Sequence, residues 1–298
     1  MKNKLKIWTS VMSAIGIIIL VLDTKTALLG AEEGISLCLQ TVIPSLFPFL
    51  VLCIFLNNSV NYGMFRFLRP VSRICAIPDG GESLLGIGFI GGYPIGAQNV
   101  YLAYKNRSID NEDARRLLGF CSNAGPAFIF GMIGSLFDSK IMTTSIWLIQ
   151  IISAIVVGVL LPRRERKTCN IDVNNPIRFS DALKISLNSL ALICGWIIIF
   201  RIFITFLRRW FLWLLPVWLQ TVIIGIFELS NGCLELNAIA NTSLRFIICN
   251  VILAFGGFSV MMQTKSVTKE LGLGFYFPGK VLQAIISVVL SIIWLLII

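Results

Sequence analysis

The chain has 298 residues, 56% of them hydrophobic and only 13% charged, with a mean hydropathy of +0.85. A soluble domain is about 25% charged, so this composition excludes a water-soluble fold and makes lipid the solvent. The net charge of +10 sits in short Lys/Arg clusters between apolar runs, with no basic face interleaved with aromatics, which marks membrane topology and excludes nucleic acid as a partner.

Lys2, Lys4 and Lys6 precede an apolar run from Ile7 to Leu22. It reads like a signal peptide, but no small-residue cleavage site follows and further apolar runs do, so a retained first helix with a cytoplasmic amino terminus is expected. Further candidate spans are 43–55, 84–104, 117–137, 141–161, 187–207, 210–227, 244–263 and 278–298. The stretches between them are too short or too polar to span: 24–41, with Glu32 and Glu33; 57–82, with Arg66, Arg69 and Arg73; 106–116; and 162–181. Arg163, Arg164, Arg166 and Lys167 form the strongest cytoplasmic signal. They divide the chain into a first transmembrane half (1–162), a basic cytoplasmic linker (163–181) and a second half (182–298).

If both the amino terminus and this cluster are cytoplasmic, an even number of crossings separates them, yet five apolar segments do. The segment expected to enter and return is 84–104, because Gly86, Gly88, Gly91, Gly92, Pro94 and Gly96 are too many breakers for an unbroken helix. Arg201, Arg208 and Arg209 fit no simple up-and-down path, and the topology of the second half stays open. The fold class expected is all-α: a polytopic transmembrane helical bundle with broken or re-entrant helices and an internal repeat. Histidine is absent, which removes Ser-His and Cys-His dyads and His-containing metal sites. Cysteines are scattered with no C-x-x-C pair. No enzyme, metal or cofactor is expected.

Four constellations carry polar chemistry. Gly86, Gly88 and Gly91 have G-x-G-x-x-G spacing, but a dinucleotide site needs a βαβ unit that membrane segments do not supply. Gly88, Gly92 and Gly96 also form a small-x-x-x-small packing ridge. Alternatively, Gly91 to Pro94 is a break exposing a half-helix amino terminus to an anion, with Tyr93, Pro94, Gln98 and Asn99 beside it. Ser122 and Asn123, before Gly125 and Pro126, are either a plain helix cap or a cap presented to a solute. Glu228 either ends a helix at the interface or faces a cavity as a coupling-ion ligand, proton carrier or solute partner; Ser230, Asn231 and Gly232 accompany it. Finally, Gly256 to Ser259 echoes Gly91 to Pro94, with Gln263 matching Gln98, so each half has two interrupted segments, as in transporters built from a repeat.

At these residues the chain resembles the Gate or nucleoside recognition family, and within it the sporulation integral membrane proteins of the YlbJ type. Ile43 to Phe49, Gly91 to Ala97, Cys121 to Pro126 and Glu228 to Gly232 carry the resemblance, across roughly residues 40 to 265. It implies a fold similar to concentrative nucleoside transporters and passage of a small polar or anionic solute, dipicolinate in YlbJ-like proteins, across a bacterial cell or forespore membrane. The expected substrate-binding residues are Tyr93, Pro94, Gln98, Ser122, Asn123, Glu228, Ser230, Asn231 and Ser259. The expected partners are the solute, the lipid bilayer and, in a homo-oligomer, a second copy. The alternatives are a nucleoside-type solute or a non-transporting scaffold in spore-envelope assembly.

Overall fold

The computed structural model describes residues 2–59, 62–137, 139–162 and 178–297. The cluster at Arg163, Arg164, Arg166 and Lys167, and most of the linker 163–181, lie outside the described residues. The chain is 84% helical, with no strand among the described residues. Lipid offers no partner to backbone N–H and C=O groups, so segments inside it satisfy those groups as helices.

α1 (Lys2–Leu22) ends at Asp23, which caps α2 (Thr24–Leu37) by accepting from Thr26 N. α2 continues through a π-helical turn at Cys38–Val42 into α3 (Ile43–Ser59). The wide turn falls just before Pro44, which has no N–H to give the helix ladder. α4 (Arg69–Ile74) is short. α5 (Glu82–Gly91) folds back on α6 (Ile95–Lys105) as a hairpin: added Cβ atoms on Gly88 and Gly96 would each lie 2.1 Å from the same atom, Cys121 O. α7 (Asn111–Leu117) is followed by an irregular stretch to Gly125, then α8 (Pro126–Gly131) and α9 (Lys140–Leu160).

The second half opens with α10 (Phe179–Trp210). α11 (Val217–Phe227) and α12 (Leu229–Glu235) form a second hairpin, closed so tightly that a Cβ on Gly232 would lie 2.3 Å from Gly225 Cα. α13 (Thr242–Phe255) and α14 (Gly257–Thr268) are one segment broken at Gly256, and α15 (Tyr276–Ile297) ends the chain. Each half therefore reads long helix, hairpin, broken segment, long helix. The counterparts pack antiparallel. Gly30 meets Ile202 and Gly34 meets Ile198, so α2 and α10 run opposite ways. Gln283 donates to Gln150 O and Ser153 Oγ, while Gly119 touches both Leu161 and Phe275, so α9 and α15 do too. Opposed counterparts are what an inverted repeat requires.

Among the described residues, five stretches are long and apolar enough to cross a membrane: Thr24–Phe55, Lys140–Leu160, Phe179–Trp210, Thr242–Leu271 and Tyr276–Ile297. Three sequence expectations change. Residues 24–41 belong to a spanning helix, because Gly30, Gly34 and Cys38 at helical spacing form a seam on α10 and Glu33 pairs with Arg201 at 2.8 Å. Segment 117–137 is no continuous helix, since its first part is unwound between Leu117 and Pro126. The longest α-helix in segment 210–227 has 11 residues, Val217–Phe227, about 16 Å at the helical rise, and turns back at Glu228. The repeat also pairs elements differently from the Gly-Gly echo. Gly91 to Pro94 is a hairpin tip, equivalent to Phe227–Leu229, whereas Gly256 is the break in a span, equivalent to 118–125.

Gly88 is set against backbone, so an added methyl has nowhere to go. Gly88→Ala is expected to cost about 1–3 kcal/mol despite its better helix propensity, whereas Gly16→Ala, with nothing within 4 Å of its added Cβ, is expected to be neutral. Unfolding of the detergent-solubilised chain compares them; equal stability would refute the tight backbone contact.

Candidate functional site

Hairpin 1 turns at Gly92, whose φ of 69° and ψ of −164° suit glycine alone. Its backbone touches that of Gly125: a Cβ on Gly92 would lie 2.7 Å from Gly125 N. The hairpin tip thus rests on the unwound stretch between α7 and α8. Gly88, Gly92 and Gly96 all pack against backbone, as a ridge would, and Gly92 also turns the chain.

Hairpin 2 turns on a single extended residue, Glu228, with φ −146° and ψ 122°. Its Oε2 accepts from Asn231 N at 2.6 Å and Asn231 Nδ2 at 2.8 Å, capping α12. Asn231 Oδ1 accepts from Arg201 Nη1 at 2.9 Å, and Arg201 Nε donates to Glu33 at 2.9 Å. A relay thus joins Glu228, which is 1% exposed, to the guanidinium of α10. Arg208 pairs with Glu235, and Arg209 with Asp23 at 2.9 Å. These contacts explain why the arginines of α10 suit no simple loop position: they face acidic partners on neighbouring helices. The tip of hairpin 2 rests on the other break, where a Cβ on Gly257 would lie 3.0 Å from Gly225 O and 3.2 Å from Leu229 N.

The two tips, the first break and the helix that follows the second break meet around one cavity. Tyr93, Gly125, Glu228, Ser230 and Gln263 line it from the broken elements, and Leu46, Phe49, Phe128 and Ile197 close it with apolar walls. Its volume is about 40 Å³, whereas pockets that hold small ligands measure about 300–1,000 Å³.

Tyr93, Glu228 and Ser230 are the expected site residues that line this cavity. Asn231 stands behind Glu228 in the relay. Ser259 is buried and accepts from Gln263 Nε2 at 3.2 Å. Asn123 is buried beside the cavity wall at Ala124 and Gly125, with its Nδ2 donating to Phe120 O at 2.7 Å. Ser122 is fully buried. Pro94 and Gln98 sit at the start of α6, away from the lining.

Sequence reasoning missed Lys280. It is 1% exposed and donates to Asn123 Oδ1 at 3.0 Å and Gln283 Oε1 at 2.7 Å. Behind it, Gln150 Nε2 donates to Asn250 Oδ1 at 3.2 Å, and Ser287 Oγ donates to Asn250 O at 3.3 Å. A signal existed. Lys280, Gln283, Ser287 and Ser291 recur at three- and four-residue spacing, a polar stripe on an otherwise apolar helix. Arg201 was visible in the sequence, but its partner Glu33 lies in a distant segment.

The chain is similar to the sporulation integral membrane protein YlbJ of Bacillus subtilis (strain 168), with 26% identity over 311 aligned positions, covering 87% of this chain and 75% of the relative. No family model matches, so the broader nucleoside recognition grouping is not shown. No solved structure matches. Together with its long apolar helices, this makes the chain a multi-pass membrane protein related to YlbJ.

The Arg201 side chain is 12% exposed and reaches fully buried Asn231, whereas the Arg209 side chain is 59% exposed. Arg201→Met is expected to cost about 1–3 kcal/mol, because it strips a buried acceptor of its donor. Arg209→Met is expected to cost under about 1 kcal/mol, as exposed pairs do. Thermal unfolding in one detergent ranks the two, and the reverse order would refute the relay.

Proposed function

We propose that the chain is a membrane permease for a small anionic solute, a dicarboxylate of the dipicolinate kind, bound where the two hairpin tips meet the two breaks. One observation carries this reading: the two hairpin tips, the first break and the helix that follows the second break, far apart in sequence, converge on one cavity. A bundle that only anchored other proteins gains nothing from interrupting four apolar segments at one place, since each break removes helical hydrogen bonds in a medium that cannot replace them.

The chemistry of the lining supports a polar solute. Tyr93, Ser230 and Gln263 are polar residues of the lining, while the Asn231 N–H in the first turn of α12 is already given to Glu228. Glu228 adds a carboxylate, which repels an anion unless a proton or metal cation enters with it. Transport coupled to such a cation follows, with Glu228 as the residue that takes it up. The small volume requires the tips to separate from the breaks during each cycle, and where they meet as glycine backbone no side chain has to disengage. Kinship with a sporulation membrane protein makes the developing spore's membranes the proposed setting. No covalent chemistry is assigned to the chain.

Uptake of dipicolinate by proteoliposomes containing the full chain tests this. Tyr93→Ala and Glu228→Ala are each expected to lower initial uptake by about tenfold or more, a change worth roughly 1.4 kcal/mol, and Gly16→Ala to leave it unchanged. Equal uptake by all of these proteins would remove the assigned path, and no uptake by the wild type would remove the permease reading.

A further inference from the structure

Buried charges in this protein are treated in two ways. Arg201 meets a carboxylate directly, at 2.8 Å from Glu33 Oε2. Lys280 does not: among the described residues no carboxylate lies within ion-pair distance of it. Its partners are two neutral amide oxygens, those of Asn123 and Gln283, and two aromatic rings, with Nζ 5.0 Å from the centroid of Tyr93 and 5.8 Å from that of Tyr276. An ammonium at membrane depth held by neutral groups alone is costly, and it is stabilised most by an anion brought to it.

The surroundings fix this charge in place and leave one side of it exchangeable. Gln283 is itself held, donating to Gln150 O and Ser153 Oγ at 3.3 Å each. Asn123, by contrast, sits on the unwound stretch that hairpin 1 covers, and its neighbour Ser122 keeps a fully buried hydroxyl with no hydrogen-bond partner. Tyr93 touches both compartments, lining the cavity and lying against Lys280.

We propose that Lys280, with Asn123 and Ser122, forms an anion subsite adjoining the cavity, in which the ammonium receives a carboxylate of the solute once Tyr93 swings aside. The carboxylate replaces Asn123 Oδ1 as an acceptor, and the Ser122 hydroxyl becomes a second donor to it. This deepens the permease reading and rests on it: Lys280 is the residue that separates carboxylates from neutral solutes of the same shape.

Three probes of nearly one shape test the assignment in proteoliposomes of the full chain: pyridine-2,6-dicarboxylate, pyridine-2-carboxylate and the uncharged pyridine-2,6-dicarboxamide. The wild type is expected to favour the dicarboxylate over the diamide by about tenfold or more. Lys280→Met is expected to bring that ratio near unity. Asn123→Asp keeps the size of the side chain and gives Lys280 an internal counter-ion, so it is expected to erase the preference in the same way even if Lys280→Met fails to fold. A wild-type ratio in the variants overturns the subsite. So does an equal loss of all three probes by folded protein, the signature of a purely structural lysine. Wild-type protein that moves none of the probes overturns the permease reading itself, a result distinct from either.

Discussion

A break in a transmembrane helix leaves backbone donors and acceptors that hydrocarbon cannot satisfy, and each one must be hidden against protein. This chain hides its breaks against one another. Gly92 lies on Gly125, and Gly257 lies on Gly225 and Leu229. Such contacts need backbone on both sides, which is why glycine occupies the meeting points and why a side chain would hold the surfaces apart. The antiparallel pairing of the long helices follows from the same need, since α10 against α2 and α15 against α9 build the wall behind which the breaks are enclosed.

Charge is placed under the same constraint. Glu33, Arg201, Asn231 and Glu228 form a continuous line from a partly exposed carboxylate to a buried one. Within it Glu33, Asn231 and Glu228 each accept a hydrogen bond, and the positive charge of Arg201 lies between the two carboxylates. The line crosses from α2 through α10 to the tip of hairpin 2, so the segment that carries Glu228 into the interior is tied to the two helices that pack most closely together. Lys280 anchors the opposite side of the cavity, from α15 to the stretch beneath hairpin 1.

How much of this could be read in the sequence depends on whether the cause was local. Gly91, Gly92 and Pro94 announce a break because glycine and proline weaken a helix wherever they stand, and Glu228 draws attention because a carboxylate among apolar residues is costly anywhere in the bilayer. The span at Thr24–Phe55 was legible only from residue 43 onward, because the residue that makes Glu33 tolerable is Arg201, on another helix. Lys280 escaped for a related reason: a lysine near the start of an apolar helix normally reaches the interface, and only the arrival of Asn123 from the first half shows that this one is turned inward. The Gly-Gly echo misled because the two motifs share residues but sit in non-equivalent elements.

Tyr93 is where these arrangements intersect. It sits on the first hairpin, lines the cavity, covers Lys280 and reaches the second break, where its hydroxyl donates to Leu253 O at 3.4 Å and an added Cβ on Gly256 would lie 3.0 Å from its oxygen. That hydrogen bond is long, well beyond the most favourable O–H···O distance, so the side chain is held chiefly by packing. The tip of hairpin 2, by contrast, is fixed by two hydrogen bonds to Glu228 and the Arg201 relay behind them. Of the two hairpin tips, the one that bears Tyr93 is therefore held by fewer hydrogen bonds, and in the proposed cycle its displacement uncovers the cavity and Lys280 together.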